Sequence, residues 1–142
     1  MLGTFSAMEV AASGLSAERS RMNTIASNLA NAKTTRTDAG GPYKRIDPVF
    51  VAQALDPNSF DATERNVQRV VVSEIKEDTR DPMKVYEPGH PDADPTGYVS
   101  YPNVNVVEEM VNMISASRSY QNSVEVMNTA RSLLLKTLQV GQ

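Results

Sequence analysis

The chain has no cysteine and no tryptophan, and only three of its 142 residues are phenylalanine. The absence of cysteine excludes disulfide frameworks, thiolate metal sites and cysteine nucleophiles, and it leaves the redox compartment open. With so few aromatic side chains, a large globular core is difficult to build. The apolar residues are mainly Val, Leu, Met, Ala and Ile. This composition favours packed helices.

An excess of positive charge and a long apolar run are also missing. The net charge is -3 and the pI is about 5.1, so no basic surface attracts nucleic acid or anionic lipid. No apolar run approaches the roughly 20 residues of a membrane span. The first residues, MLGTFSAMEVAASGL, contain no basic n-region. We therefore expect no cleaved signal peptide, and we expect any export to use another route.

Proline is absent from the first 40 and the last 40 residues, because all eight prolines lie between Pro42 and Pro102. A proline costs about 3 kcal/mol in a helix interior, so both ends are free to form long helices. The pattern predicts three segments: an N-terminal helix over residues 1–35, a strand-and-loop insertion over residues 36–103, and a C-terminal helix over residues 104–142.

Apolar residues in both ends recur at alternating spacings of three and four, from Phe5 to Leu29 and from Val106 to Leu138. This spacing is typical of a coiled-coil seam. We predict an α+β fold in which the two helices pair as an antiparallel coiled-coil hairpin, with Thr35 near Val104. The candidate seam and assembly residues are Phe5, Met8, Leu15, Met22, Ile25, Leu29, Val106, Met110, Met113, Tyr120, Val124, Met127, Leu134 and Leu138.

Two features bear on how these helices begin and align. Asn105 is followed three residues later by Glu108, which is typical of a helix N-cap. In the predicted register, Arg131 falls beside Met8 and Glu9. Arg131 is then either an ordinary exposed residue or a seam charge that contacts Glu9 and fixes the register.

The middle segment has the composition of strands and turns. Residues Val49–Ala54 read as one strand. Residues 67–75 and 83–88 are rich in β-branched side chains, flank the turn-like stretch KEDTRDP, and predict a β-hairpin with each other. Residues 98–101 predict a further short strand.

Charge is scarce at both ends. Charged residues number 5 in the first 35 positions and 6 in the 35 positions from 104 to 138, against 20 in the 68 positions between. A helix that buries one stripe needs a charged opposite face, whereas these helices carry small or amide side chains there. We infer burial on more than one face, as in a polymer of subunits. The outer-face residues include Ala7, Ala11, Ala17, Ser27, Asn28, Ala30, Asn31, Ser115, Ala116, Ser119, Asn122 and Ser123.

Two long stretches resemble a known family. The first, ASGLSAERSRMNTIASNLANAKTTRT, resembles the N-terminal motif of the flagellar rod and hook axial proteins. The second is similar to the C-terminal part of the proximal rod proteins of that family, and it reads VYEPGHPDADPTGYVSYPNVNVVEEMVNMISASRSYQNSVEVMNTARSLLLKTLQVGQ. Together the two stretches make up about 60% of the chain. Residues 38–82 carry no comparable resemblance.

The resemblance implies a structural subunit of the bacterial flagellar basal body. Rod proteins of this family are exported uncleaved by the flagellar type III apparatus and polymerise with their terminal helices in a tubular core. The rod crosses the periplasm as the drive shaft that transmits torque from motor to hook. The implied partners are further copies, the rod proteins FlgB, FlgF, FlgG and FliE, the inner-membrane MS ring and the export apparatus.

Enzymatic and metal-binding readings find little support in the residues. His90 is the only histidine and has no candidate partners for catalysis, so we interpret it as a loop residue. The stretch DADPTG, from Asp92 to Gly97, imitates the start of an EF-hand loop, but Pro95 interrupts it and Asn103 stands where a bidentate Glu is needed. We expect no enzyme, no cofactor, no metal and no small-molecule substrate. The alternative function is a soluble helical-hairpin adaptor or secretion chaperone, which requires charged outer helix faces.

Overall fold

The protein combines two long terminal helices with short strands, as a computed structural model of the chain describes it over residues 2–55 and 67–140. This arrangement confirms the predicted α+β class. The elements in chain order are α1 (Leu2–Ala30), β1 (Ile46–Ala54), β2 (Gln68–Glu77), β3 (Met83–Tyr86), β4 (Tyr98–Tyr101) and α2 (Val106–Val140).

Both helices run without a proline through 29 and 35 residues, which gives lengths of about 44 and 53 Å. The helix α2 begins at the predicted cap, because Asn105 Oδ1 accepts hydrogen bonds from the N–H groups of Val107 (3.1 Å) and Glu108 (3.3 Å). The helix α1 ends at Ala30, five residues before the predicted limit. Over the described ranges, neither helix has the length and apolar character needed to cross a membrane.

The two helices pack against each other. Asn28 near the end of α1 contacts Glu109 near the start of α2, with 3.4 Å between Asn28 Nδ2 and Glu109 Oε2. Halfway along the pair, a methyl group added at Gly14 would lie 3.5 Å from the Ser123 hydroxyl. If Thr35 lay opposite Val104 as predicted, Asn28 would lie opposite Val111 instead of Glu109. The observed contacts are therefore displaced by two residues from the predicted alignment.

The strands form two separate antiparallel pairs. In the first, Ile46 of β1 lies opposite Glu77 and Ala54 lies opposite Gln68 of β2, with a bulge beside Phe50. In the second, β3 pairs with β4, so that Met83 lies opposite Tyr101.

The predicted hairpin between residues 67–75 and 83–88 is wrong, because β2 pairs with β1 and β3 pairs with β4. The connection after β2 explains the difference. The N–H of Asp78 bonds to the carbonyl of Arg45 at 2.7 Å, and the Asp78 carboxylate binds Arg80 at 2.6 Å. These bonds anchor the connection beside the start of β1 instead of folding it back as a hairpin turn.

The helix α1 also lies against the β1–β2 pair. The N–H of Val70 in β2 donates to Ser13 Oγ (3.1 Å), and Arg69 approaches Glu9 within 3.8 Å. A second face of α1 is therefore covered inside the subunit. This corrects part of the outer-face prediction, since Ala11, Ala17 and Asn28 of α1 and Ala116 of α2 are buried within the subunit.

The loop before β4 is a tight turn of its own. Asp94 Oδ1 accepts hydrogen bonds from the N–H groups of Thr96 (2.8 Å) and Tyr98 (3.0 Å). Gly97 has a φ of +87°, and a side chain there would also strike the ring of Tyr86. This loop sits against the chain that leaves α1, because Thr35 donates to the Asp92 carboxylate at 2.8 Å. These carboxylates are engaged within the protein, and the absence of calcium binding stays a prediction.

Candidate assembly surface

The predicted seam residues occupy three different environments. Ile25 is buried. Met8, Leu15, Met22, Leu29, Met113, Tyr120, Val124, Met127 and Leu134 are half-buried. The exposed members are Phe5 (55%), Val106 (39%), Met110 (54%) and Leu138 (49%). Both ends of the α2 series are therefore exposed, whereas in α1 only the first member of the series is exposed.

The outward turn at the start of α2 follows from the phase of its inner stripe. The inner positions are Glu109, Met113, Ala116 and Tyr120, which are buried or half-buried and repeat at spacings of four and three. At the start of α2 this stripe contains Glu109, whereas the predicted seam contains the next residue, Met110. Met110 is rotated by about 100° from Glu109 on the helix, so it leaves the contact with α1.

A continuous apolar stripe remains uncovered on the opposite side of α2. Its members are 54–70% exposed and recur at i, i+3, i+4 and i+7, which places them on one helix face. Exposed contiguous apolar patches mark interaction sites in soluble proteins. We call this surface the α2 apolar stripe, and it consists of Val107, Met110, Val111 and Ile114.

The outer face of α1 carries mainly small and amide side chains, in contrast to the large apolar side chains of the α2 apolar stripe. Its exposed positions from Ala12 to Ala30 repeat at spacings of four and three, and Arg19 is the one charged residue among these six. Beside this face lies a groove of about 180 Å³, lined by Ala12, Leu15, Ser16 and Arg19 of α1 and by Tyr120 of α2. The exposed positions are Ala12, Ser16, Arg19, Asn23, Ala26 and Ala30.

Where α1 ends, the buried side chain of Asn28 joins three segments of the chain. Its Nδ2 donates to the carbonyl of Ile46 (2.9 Å), and its Oδ1 accepts from the N–H of Ile46 (3.0 Å). The hydroxyl of Tyr43 also donates to Oδ1 at 3.0 Å. Asn28 therefore holds the first residue of β1 against the end of α1 as a neighbouring strand would.

Glu109 completes this cluster from the start of α2. The residue is 1% exposed, and its Oε1 accepts a hydrogen bond from Arg45 Nε at 2.7 Å. Arg45 also contacts the carboxylate of Asp47. We call this cluster the helix–strand junction, and it consists of Asn28, Tyr43, Arg45, Ile46 and Glu109.

Burial and charge shift the pKa values of the junction. Burial raises the pKa of the Tyr43 hydroxyl above 10.0, and the negative charge of Glu109 adds to this rise. For Arg45, burial acts to lower the pKa, but hydrogen bonds to Asp47 and Glu109 outweigh it and raise the pKa above its ordinary value. The guanidinium stays charged at any physiological pH. The junction thus holds a paired ion inside the subunit.

The charged partner of Glu9 is Arg69 and not Arg131, the partner considered for it in the predicted register. Glu9 faces Arg69 of β2, with 3.8 Å between Arg69 NH1 and Glu9 Oε1. Arg131 is exposed on α2, and no ion pair among the described residues joins it to Glu9. The two-residue displacement of the helices explains the difference, because it moves Arg131 past Glu9.

Sequence reasoning missed the junction, although one signal for it was present. The sequence pattern predicts Asn28 on an outer helix face that contacts other subunits, not at a contact within the subunit. Counting back four residues from Met113 along the seam places Glu109 on the inner stripe. A carboxylate in that position requires a buried cation, and no pattern in the sequence identified Arg45 as the partner.

Comparison with known proteins agrees with this architecture. Residues 8–36 match the family model described as flagella basal body rod protein. Residues 96–140 match the model described as flagellar basal body rod FlgEFG protein C-terminal. The two matches cover most of α1, all of α2 and the strand β4, and they leave β1, β2 and β3 outside. Full-length relatives extend the match to nearly the whole chain.

The FlgC basal-body rod protein of Salmonella typhimurium is 46% identical over 134 residues, covering 94% of this chain and 95% of that protein. The FlgC protein of Borreliella burgdorferi is 41% identical and covers 99% of both chains. The chain belongs to the FlgC family of flagellar basal-body rod proteins. The FlgC protein of Bacillus subtilis, at 38% identity over 97% of this chain, is a more distant member.

Membership of the FlgC family makes the chain a structural rod subunit of the flagellar basal body. The family is structural and not enzymatic. The alignments also run through residues 38–82, where the residues alone carried no resemblance, since they cover 94–99% of the chain.

Proposed function

We propose that this rod subunit polymerises through its terminal helices, over residues 1–35 and 104–142, and that residues 36–103 form the outer part of the polymer. The resulting shaft transmits torque from the motor to the hook. The observation that carries the proposal is the α2 apolar stripe, with four apolar side chains more than half exposed on one helix face. Covering each of them contributes on the order of 1 kcal/mol.

Within each subunit, we propose that α1 and α2 form an antiparallel coiled coil. The contacts of Asn28 with Glu109 and of Gly14 with Ser123 support this arrangement, because residues later in α1 meet residues earlier in α2. The half-buried seam residues lie along this contact. The exposed members of the predicted series then serve contacts between subunits.

The partners follow from the same proposal. The subunit assembles with further copies and with the rod proteins FlgB, FlgF, FlgG and FliE, above the inner-membrane MS ring. It reaches the periplasm through the flagellar type III export apparatus without a cleaved signal peptide. The low charge of both helices supports assembly into a rod, because burying charged outer faces in a shaft would be unfavourable.

The alternative of a soluble adaptor or secretion chaperone has no observation in its favour. The relatives are rod proteins, and the outer faces of the helices lack the charge that a permanently soluble hairpin needs.

The experiment places a carboxylate in the α2 apolar stripe. Ile114→Asp leaves the isolated subunit intact because Ile114 is 55% exposed there. In the shaft it buries an unpaired charge at a cost of several kcal/mol. We expect cells that carry this variant in place of the native subunit to secrete the subunit, to build no hooks and to lose swimming.

Lys76→Asp is the matched control, since it also replaces an exposed residue by aspartate, on β2 in the charge-rich middle segment. We expect this variant to swim. Normal swimming and intact basal bodies with Ile114→Asp would overturn the proposal that this stripe is buried in the rod.

A further inference from the structure

Over residues 50–54, one edge of the strand β1 has no partner among the described residues. In an antiparallel pair, alternate residues bond to the neighbouring strand and the others point away. The N–H of Leu55 bonds to the carbonyl of Val67 (3.0 Å), which fixes this alternation. The backbone groups of Phe50, Ala52 and Ala54 therefore point away from β2, and no hydrogen bond from another described segment reaches them.

The neighbouring edges of the described strands are covered. On β2, the outward N–H of Val70 donates to Ser13 of α1. On β4, the backbone of Tyr98 is bonded in both directions to Asp94, whose N–H donates to the Tyr98 carbonyl at 2.8 Å. On β3, the outward position Lys84 carries a charge, which is a common protection of a strand edge.

The β1 edge lacks such protection over six residues. Residues 49–54 read VFVAQA and contain no charge, no glycine and no proline. Four consecutive members, residues 50–53, are exposed, including Phe50 at 39% and Val51 at 43%. An exposed, uncharged strand edge is a template for pairing with another strand. Pro48 ends this template on one side, because it offers no N–H.

We propose that this edge pairs with the same edge of a second copy of the chain, antiparallel, with Ala52 opposite Ala52 and Phe50 opposite Ala54. In this register all three outward residues of both copies bond across the interface, which gives about six hydrogen bonds. No charge meets a like charge, since the paired segments are uncharged. The edge is therefore complementary to itself.

This pairing is independent of the shaft proposed above. It uses β1 and leaves the outer faces of both terminal helices free. It relates two copies by a two-fold axis, so it closes at a dimer, whereas a shaft requires contacts that continue from subunit to subunit. We assign the pairing to free subunits before assembly, in which it covers an edge prone to aggregation.

The first test is sedimentation equilibrium of the full-length subunit with substitutions at one position. Ala52→Pro removes an outward N–H and spares every bond between β1 and β2, while Ala52→Ser keeps the N–H. We expect a dimer for the native chain and for Ala52→Ser. Ala52→Pro removes about two of the six bonds, so dimerisation should need at least a tenfold higher concentration.

The second test identifies the register and uses the absence of native cysteine. In the proposed dimer the Cα atoms of the two Ala52 residues lie about 5.5 Å apart, within the range of a disulfide. Mild oxidation of Ala52→Cys should give a disulfide-linked dimer. Ala54→Cys is the control, because its two copies lie about 14 Å apart. A native chain that stays monomeric, or equal cross-linking of both variants, would contradict the proposal.

Discussion

At the residue scale, the helix–strand junction shows how one buried ion pair ties three segments together. Glu109 brings the start of α2, Arg45 brings the connection before β1, and Asn28 brings the end of α1. Replacing both members of a buried pair by apolar residues is often tolerated. Removing one member alone is costly, because it leaves the other charge buried without a partner.

We predict that Glu109→Ala lowers the free energy of unfolding by about 3 kcal/mol, since Arg45 then loses its buried partner. Urea denaturation followed by circular dichroism measures the change. Glu108→Ala is the matched control, because Glu108 stands in the same helical turn but is exposed, and it should cost less than about 1 kcal/mol. Equal losses for the two variants would show that the junction contributes nothing specific.

A second residue-scale prediction concerns Asp78. Hydrogen bonds from the Arg80 side chain and backbone lower the pKa of Asp78 from 3.8 to about 2. A lowered folded-state pKa stabilises the fold above the ordinary value, and this contribution is lost as the pH falls from about 4 to about 2. The backbone N–H of residue 80 remains in Arg80→Ala, so carboxyl NMR titration of this variant should show the Asp78 pKa raised well above 2, towards its ordinary value of 3.8. Arg69→Ala should leave the Asp78 pKa near 2, and a pKa near 2 in both variants would exclude the Arg80 side chain as the main cause.

At the element scale, the sequence period predicted both helices, but it did not predict which face of α2 contacts α1. The stretch from Val106 to Ile114 carries apolar residues on two faces, so periodicity alone cannot decide between them. The deciding residue is Glu109, whose buried partner lies far away in the sequence. The sequence pattern also predicted where the strands lie better than it predicted which strands pair, because pairing depends on contacts between distant residues. The partner of residues 67–75 depends on contacts at Asp78 and not on local pattern.

The element-scale prediction tests the contact within the helix pair. Leu134 is half-buried on α2, and Leu134→Asp places a carboxylate there, while Arg131, the basic residue one helical turn before it, is exposed. We expect secretion of the variant to continue while rods fail to form, as judged by basal-body preparation and motility. Leu134→Met keeps the volume and apolar character, so it should swim. Swimming by the aspartate variant would exclude this part of α2 from the buried contacts.

At the scale of the whole molecule, charge and exposure divide the chain in the same way. In the charge-rich middle of the chain, the described residues 36–55 and 67–103 form strands and loops with mostly exposed side chains, whereas the charge-poor helices carry the α2 apolar stripe. Part of the charge deficit has an explanation inside the subunit, because β1 and β2 cover one face of α1. The stripe on α2 has no such cover among the described residues. Its burial in the rod is therefore the central claim.

The most direct test measures the accessibility of this stripe before and after assembly. Since the native chain has no cysteine, Ile114→Cys gives a single thiol that a maleimide reagent can label. Lys76→Cys on exposed β2 is the control. We predict fast labelling of both variants in the free subunit, and labelling of Lys76→Cys alone in isolated basal bodies. Equally fast labelling of Ile114→Cys in free subunits and in basal bodies would contradict burial of the α2 apolar stripe.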